Sequence, residues 1–226
     1  MPRLLLVAAL ALVAHSWTPA GEGQKPELPG LRLDLKAKTI EVDGAFCVGP
    51  YPLELLACQG TMKDYESMIS SPCKPSVLHT ALLALGLKPR VRDDKEPGRV
   101  LREGDPVDIF LRFTREGKEV TVEPRDLIVH IESKKHIPGT PFVFFGSFLF
   151  PDPEDKTRMI YLGDAESWLI GLLGDTASVI DLPPDAAGKY GALAIDAKAA
   201  PAKGSKVTLI IRPAAGRKPP GHAKEQ

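Results

Sequence analysis

The side chains best suited to chemistry lie in one stretch of the sequence. It holds all three cysteines, Cys47, Cys58 and Cys73, together with Glu66 and His79. Thiolates, carboxylates and an imidazole are ligands that zinc and copper accept. One hypothesis is therefore a metal or redox site with Cys58, His79, Glu66 and Cys47 as ligands, although the stretch lacks the C-x-x-C pair of common zinc sites.

The same cysteines also fit a structural role. In an oxidising compartment, three cysteines can form one disulfide and leave one free thiol. We predict Cys47–Cys58 as the bridge, bracing two neighbouring strands, with Cys58–Cys73 as the second choice. Either bridge requires its two Cα atoms to lie within about 7 Å of each other.

Two other pairings would join a nucleophile to a base. Cys58 or Ser67 could act with His79 in a hydrolase, but neither lies in a nucleophile elbow or another local motif. His79 is expected near the start of a helix, where the helix dipole disfavours the imidazolium. We therefore expect a neutral imidazole that hydrogen-bonds a neighbouring loop, and we assign no catalytic residue.

The segment from Pro75 to Gly86 predicts the main helix. Proline is accepted in the first turn, where its missing N–H is not needed, and glycine suits the left-handed residue that ends a helix. Between them, apolar side chains recur at helical spacing and predict a face that packs on a sheet. These side chains are Val77, Leu78, Ala81, Leu82 and Leu85.

Alternation of apolar and polar residues dominates the rest of the chain and predicts strands. Two hairpins are predicted, across residues 31–42 and 107–122, and Lys63–Ser67 is predicted as a charged edge strand. Further strands are expected at residues 127–131, 142–150, 159–162, 178–182 and 207–211. The predicted fold class is α+β, a mostly antiparallel β-sheet with one main helix, about residues 75–86, packed on it.

The first 20 residues are typical of a secretory signal peptide. Arg3 supplies a positive charge, and the apolar run Leu4–Ala14 is shorter than the ~20 residues that a membrane-spanning helix needs. We predict export to the periplasm or the extracellular space, with no stable membrane span after cleavage. Residues 21–30 are predicted as a linker, 31–213 as the folded domain and 214–226 as a disordered tail.

Composition narrows the classes of partner. The 226 residues include 29 basic and 29 acidic side chains, so the formal net charge is zero. A neutral chain lacks the basic field with which proteins attract nucleic acids, and no nucleic-acid partner is predicted. The 43% hydrophobic content is sufficient for a folded core and excludes a chain that is disordered throughout.

Five segments together resemble a known family. They are Pro52–Cys58, Lys63–Ser67, His79–Gly86, Phe142–Ser147 and Ile180–Pro183. The family that they resemble is the YdjY-like domain of exported bacterial envelope proteins. The family's usual Lys-Glu-His-Glu-Ser motif stands here with Tyr65 in place of its histidine. The resemblance implies an envelope protein without an established reaction. Relatives sometimes carry an iron–sulfur label, but three cysteines cannot supply the four thiolates of such a cluster.

The resulting hypothesis is a non-enzymatic envelope module that binds another protein or a polymer, or that has a structural role. It predicts a flat or grooved surface and no cofactor. The alternative is a metal-binding or redox-associated protein that uses Cys58, Glu66 and His79, with zinc or copper as the possible metal.

Overall fold

The computed structural model describes residues 28–214, except residues 48, 50, 94, 97, 98, 175, 176 and 185. The predicted signal peptide, most of the predicted linker and the predicted tail beyond Ala214 lie outside the described residues. Within the described residues, no helix has the length and apolar character needed to cross a bilayer.

The described residues form mainly β-strands. In chain order the strands are β1 (Leu31–Asp34), β2 (Thr39–Phe46), β3 (Leu55–Gln59), β4 (Ser67–Ser71), β5 (Val91–Arg92), β6 (Val100–Arg102), β7 (Pro106–Arg115), β8 (Lys118–Val122), β9 (Ile128–His130), β10 (Phe142–Phe144), β11 (Leu149–Pro151), β12 (Met159–Tyr161), β13 (Trp168–Gly171), β14 (Ile180–Asp181), β15 (Leu193–Ile195) and β16 (Lys206–Pro213). The helices are α1 (Pro75–Ala84), α2 (Leu162–Glu166) and two 3-10 helices, Asp64–Glu66 and Pro124–Leu127.

Eight of the strands close into a barrel. Their order around it is β2-β16-β7-β10-β14-β13-β3-β4, and β4 pairs in turn with β2. Most neighbours are antiparallel, but β13–β14 and β3–β4 are parallel. β1 and β8 extend the sheet beside β2 and β7. The predicted α+β sheet is therefore corrected to a closed, mixed β-barrel with few short helices.

Closure depends on a long strand that has two partners along one edge. β2 pairs with β1 through residues 39–42 and with β4 through Ala45 and Phe46. Gly44 lies between these two stretches, and a Cβ atom there would stand 2.6 Å from Cγ2 of Ile69 and 2.8 Å from the carbonyl oxygen of Ser70. Alternation predicts each strand separately, but it carries no information about this change of partner, so the barrel was not predicted.

The barrel core is made by the residues that the patterns predicted to be buried. β7 buries every second side chain from Val107 to Phe113. α1 begins at Pro75 and is followed by Gly86 at φ +83°, as predicted. The buried face of α1 joins the same core, and its fully buried members include Leu78 and Leu82.

The predicted edge strand over Lys63–Ser67 is wrong. Asp64–Glu66 is a 3-10 helix, and Ser67 begins β4, which lies between β2 and β3 in the closed sheet. Ser67 and Met68 are buried. The charged residues belong to the connection that enters β4, and the strand itself has no free edge along these residues because both neighbours pair with it.

Candidate functional site

The three cysteines are buried and form no disulfide. The N–H of Cys47 donates to the carbonyl oxygen of Met68 on one edge of β4, whereas Cys58 pairs with Ser70 on the other edge. Two strand spacings separate Cys47 from Cys58 by about 10 Å, beyond the limit of about 7 Å for a bridge. The predicted Cys47–Cys58 disulfide is therefore not formed, and Cys73 of the second-choice bridge is also a free thiol.

Burial makes these thiols poor nucleophiles and poor metal ligands. Desolvation raises the pKa of Cys47 and of Cys73 to about 12, and it also raises the pKa of Cys58. Both kinds of chemistry need the thiolate, which a raised pKa disfavours. The Sγ atom of Cys58 donates instead to the carbonyl oxygen of Gly60, 3.6 Å away.

The four predicted metal ligands, Cys47, Cys58, Glu66 and His79, have separate partners. Glu66 forms a 3.0 Å ion pair with Nζ of Lys63, and the imidazole of His79 is held by the loop after β10. In the part of the chain that the structure describes, no three His, Cys, Asp or Glu side chains come together as a possible metal site. The arrangement expected for zinc or copper is therefore not formed.

The two pairs of nucleophile and base that were considered, Cys58 or Ser67 with His79, are not formed either. Oγ of Ser67 donates to the carbonyl oxygen of Lys63 at 2.6 Å, and the Cys58 thiol is bonded to a backbone carbonyl. Neither side chain hydrogen-bonds His79. Both buried side chains therefore hydrogen-bond nearby backbone carbonyl groups, as buried polar groups generally do, and they do not form a catalytic pair.

Three exposed tyrosines line one surface groove. The side chains of Tyr51, Tyr65 and Tyr190 are 59%, 47% and 80% exposed. A hollow of about 410 Å³ is lined by Tyr51, Pro52, Glu54, Tyr65, Glu66 and Tyr190. An adjoining hollow of about 620 Å³ is lined by residues 130–133 and 189–192, and so shares Tyr190. Together the two hollows form the tyrosine groove.

Backbone hydrogen bonds bring distant segments of the chain together at this groove. The N–H of Glu54 donates to the carbonyl oxygen of Glu66 at 2.9 Å. The N–H of Leu53, one residue earlier, donates to the carbonyl oxygen of Leu193 at 2.8 Å. The segment before β3 is therefore held between the 3-10 helix that carries Tyr65 and the start of β15, three residues after Tyr190.

Lys63 fixes one wall of the tyrosine groove. Its Nζ atom, paired with Glu66, lies 5.9 Å from the ring centre of Tyr65 and 5.8 Å from that of Trp168. The hydrogen bond to Glu66 raises the pKa of Lys63, so the ammonium stays charged and the contact with the aromatic rings is a cation–π contact. Tyr51 packs edge to face on Tyr65, with ring centres 6.2 Å apart.

His79 lies in a second pocket. Its Nδ1 atom is 2.8 Å from the carbonyl oxygen of Gly146 and 2.8 Å from the hydroxyl of Tyr161. A carbonyl oxygen only accepts, so the bond to Gly146 assigns the proton to Nδ1. Burial lowers the pKa of His79, which keeps the imidazole neutral at pH 7. The histidine is thus neutral and bonded to a loop, as expected, and burial is the main cause of its lowered pKa.

The tyrosines of the groove were not identified from the sequence, apart from Tyr65 as a departure from a motif. Periodicity gives no information on them, because Tyr51 and Tyr190 lie in connections between strands. The sequence offered one indication of these residues, which is that tyrosine is rare in the chain. The chain has four tyrosines, and Tyr51 and Tyr190 stand beside proline or close to glycine, where loops present side chains for binding.

The comparisons with known proteins agree with the resemblance seen in the sequence. The family model of the YdjY domain matches residues 31–212, which extend from β1 into β16. Neither the curated proteins nor the solved structures contain a match to this chain. Because the family model covers more than half of the 226 residues, the chain belongs to the YdjY domain family.

Proposed function

We propose that this protein is an exported, non-enzymatic binding module of the bacterial envelope and that it binds a glycan strand in the tyrosine groove. The observation in its favour is that three exposed tyrosines from distant parts of the chain line one open groove. Aromatic rings with a polar end are enriched at binding surfaces, because they offer apolar area and a hydrogen-bonding group together.

The groove has the chemistry that sugar rings require. The apolar faces of pyranose rings pack on tyrosine rings, and sugar hydroxyls exchange hydrogen bonds with carboxylates, hydroxyls and backbone groups. Glu54 and Glu66 line the first hollow, and Glu132 and Ser133 line the second. Because the two hollows adjoin at Tyr190, the surface suits an extended ligand with several similar units and favours a polymer over a monosaccharide.

A peptide partner has less support. Peptide grooves use apolar pockets for alternate or helically spaced side chains. The first hollow offers tyrosines, glutamates and a single aliphatic side chain, Pro52. The redox or metal alternative also has less support, because the thiols are buried with raised pKa values and Cys58, Glu66 and His79 have separate partners. Export is supported by the sequence of residues 1–20.

Co-sedimentation with purified, insoluble peptidoglycan sacculi tests the glycan proposal. We expect the wild-type protein to sediment with the sacculi in a saturable manner. The double substitution Tyr51→Ala and Tyr190→Ala should weaken binding about tenfold or more, as expected for the loss of aromatic anchor residues.

The matched control is Leu35→Ala, which removes a side chain that is also exposed, at 60%, but lies outside the groove. This control should bind like the wild type. Equal binding by the double variant and the wild type would refute the assignment of the groove, and no saturable binding of the wild type would refute the glycan proposal itself.

A further inference from the structure

The pocket around His79 shares no lining residue with the tyrosine groove. Its volume is about 430 Å³, and it lies between the start of α1 and the loop that joins β10 to β11. The side chains that line it include Ser76, His79, Thr80, Phe148, Leu149 and Tyr161.

On the helix side of the pocket, the hydroxyl protons are already used inside the protein. Oγ of Ser76 donates to a carboxylate oxygen of Asp164 at 2.7 Å, and Oγ1 of Thr80 donates to the carbonyl oxygen of Ser76 at 2.8 Å. A carboxylate or carbonyl oxygen only accepts, so the direction of both bonds is fixed. Each hydroxyl therefore has only lone pairs left for a ligand.

The loop side of the pocket has the same property. The hydroxyl of Tyr161 donates to the carbonyl oxygen of Gly146 at 2.9 Å, and Nδ1–H of His79 donates to the same oxygen. Oγ of Ser147 is buried below the pocket surface and is not accessible to a ligand. The second nitrogen of the neutral imidazole, Nε2, makes no hydrogen bond with the described residues and carries a lone pair.

The charged group nearest to the lining residues is negative. It is the carboxylate of Asp164, which accepts the hydrogen bond from Ser76, and none of the lining residues is a lysine or an arginine. The titratable groups that contact His79 or its neighbours in this pocket are Tyr161 and Asp164. Burial raises the pKa of Tyr161, so its hydroxyl stays protonated, and burial lowers the pKa of His79, so no positive charge arises at neutral pH.

We propose that this pocket binds an organic primary ammonium group that is attached to an apolar chain. An ammonium group supplies three N–H donors and a positive charge, which complement the lone pairs of His79, Ser76 and Thr80 and the nearby carboxylate. Phe148 and Leu149, which are 43% and 58% exposed, provide the apolar wall for the chain. A metal ion fits less well, because the described residues place no group of three ligating side chains here.

NMR titration of the full chain with hexylammonium tests the proposal, with hexanol and hexanoate as probes of equal chain length. We expect saturable shifts of Nε2 of His79 on addition of hexylammonium. Hexanol should bind at least tenfold more weakly, and hexanoate should produce no shifts at this site, because a carboxylate has no donor and carries the wrong charge.

Substitutions define the site. His79→Phe should weaken hexylammonium binding about tenfold to a hundredfold, since a hydrogen bond to a charged group is lost. His136→Phe, a matched change at an exposed histidine outside the pocket, should leave it unchanged. If His79→Phe does not fold, Thr80→Val removes an acceptor from an exposed residue and should weaken binding about fivefold or more.

The proposal is overturned if hexanol or hexanoate binds as tightly as hexylammonium, or if the substitutions in the pocket leave the affinity unchanged. The groove variant with Tyr51→Ala and Tyr190→Ala should bind hexylammonium like the wild type. This control separates the ammonium site from the glycan proposal, so either can fail alone.

Discussion

At the residue scale, the environment of each sulfur atom decides its chemistry. Residues Leu55–Cys58 of β3 are all buried, so the strand is covered on both faces. The thiol of Cys58 reaches a backbone carbonyl and no solvent. A cysteine of this kind behaves as a small apolar residue, and its contribution is packing.

Thiol counting tests this assignment. In the native protein, a thiol reagent should modify none of the three cysteines rapidly, because burial both blocks access and raises the pKa of each thiol. In denaturant without reductant, all three should react. Thr80→Cys places a thiol at an exposed position and should react at once, which controls for the reagent.

If only one of the three cysteines reacted in the denatured protein, the other two would form a disulfide, which would contradict the structure. A cysteine that reacts rapidly in the native protein would show that its thiol is accessible to solvent and not buried.

His79 makes the stability of the fold depend on pH. Burial lowers its folded-state pKa below the ordinary value of 6.5, so the unfolded chain takes up a proton before the folded chain does. The stabilisation is complete above the unfolded pKa and is lost as the pH falls through the folded pKa. The free energy of unfolding should therefore decrease as the pH falls below the ordinary pKa of 6.5, and His79→Gln should reduce this decrease.

Urea denaturation at several pH values measures the effect. His136→Gln makes the same change at an exposed histidine and is the matched control for the substitution itself. An unchanged slope in His79→Gln would contradict the assignment of a neutral, buried imidazole.

At the element scale, the structure shows which features are local and which are not. The bounds of α1 follow from Pro75 and Gly86, and they could be predicted because proline and glycine act through their own backbone. The capping interactions of α1 could not be predicted from the sequence. Its N-cap residue Lys74 gives no side-chain hydrogen bond, and the N–H of Ser76 is satisfied by Asp164, 88 residues away in sequence.

The closed barrel depends on the approach of β4 to β2 at Gly44. Gly44→Ala would place a methyl group within 3 Å of Cγ2 of Ile69 and of the backbone of Ser70. Because backbone on a paired strand cannot move aside freely, we expect a loss of stability of about 1–3 kcal/mol, measured by chemical denaturation.

Gly49→Ala is the matched control for this substitution. A Cβ atom at Gly49 would lie 3.4 Å from its nearest neighbour, the carbonyl oxygen of Tyr65, which is an ordinary contact. Its effect should be smaller than 1 kcal/mol. Equal stability of both variants would show that the contact between β2 and β4 is looser than the closed barrel requires.

At the scale of the whole molecule, the barrel is a support for its connecting segments. Tyr51, Tyr65 and Tyr190 lie outside the strands, and hydrogen bonds at Leu53 and Glu54 hold their segments together. Sequence patterns predicted most strands and the main helix, because alternation and helical spacing are local properties. They could not predict the groove, because it depends on contacts between residues more than 100 positions apart.

One of the segments that resemble the YdjY-like domain also lines the tyrosine groove. The segment Lys63–Ser67, through which the sequence resembles the YdjY-like motif, forms one wall of the groove through Tyr65 and Glu66. Tyr65 stands where the motif usually has histidine. The change replaces an imidazole, which can ligate a metal, with a phenol ring, and this ring packs edge to face on Tyr51.

The most direct measurement is an NMR footprint of a soluble N-acetylglucosamine oligomer on the full chain. Glycan binding in the tyrosine groove predicts saturable shifts concentrated at Tyr51, Tyr65 and Tyr190, with the buried cysteines unaffected. Shifts concentrated around Cys58 or around His79, or no saturable shifts at the three tyrosines, would contradict it.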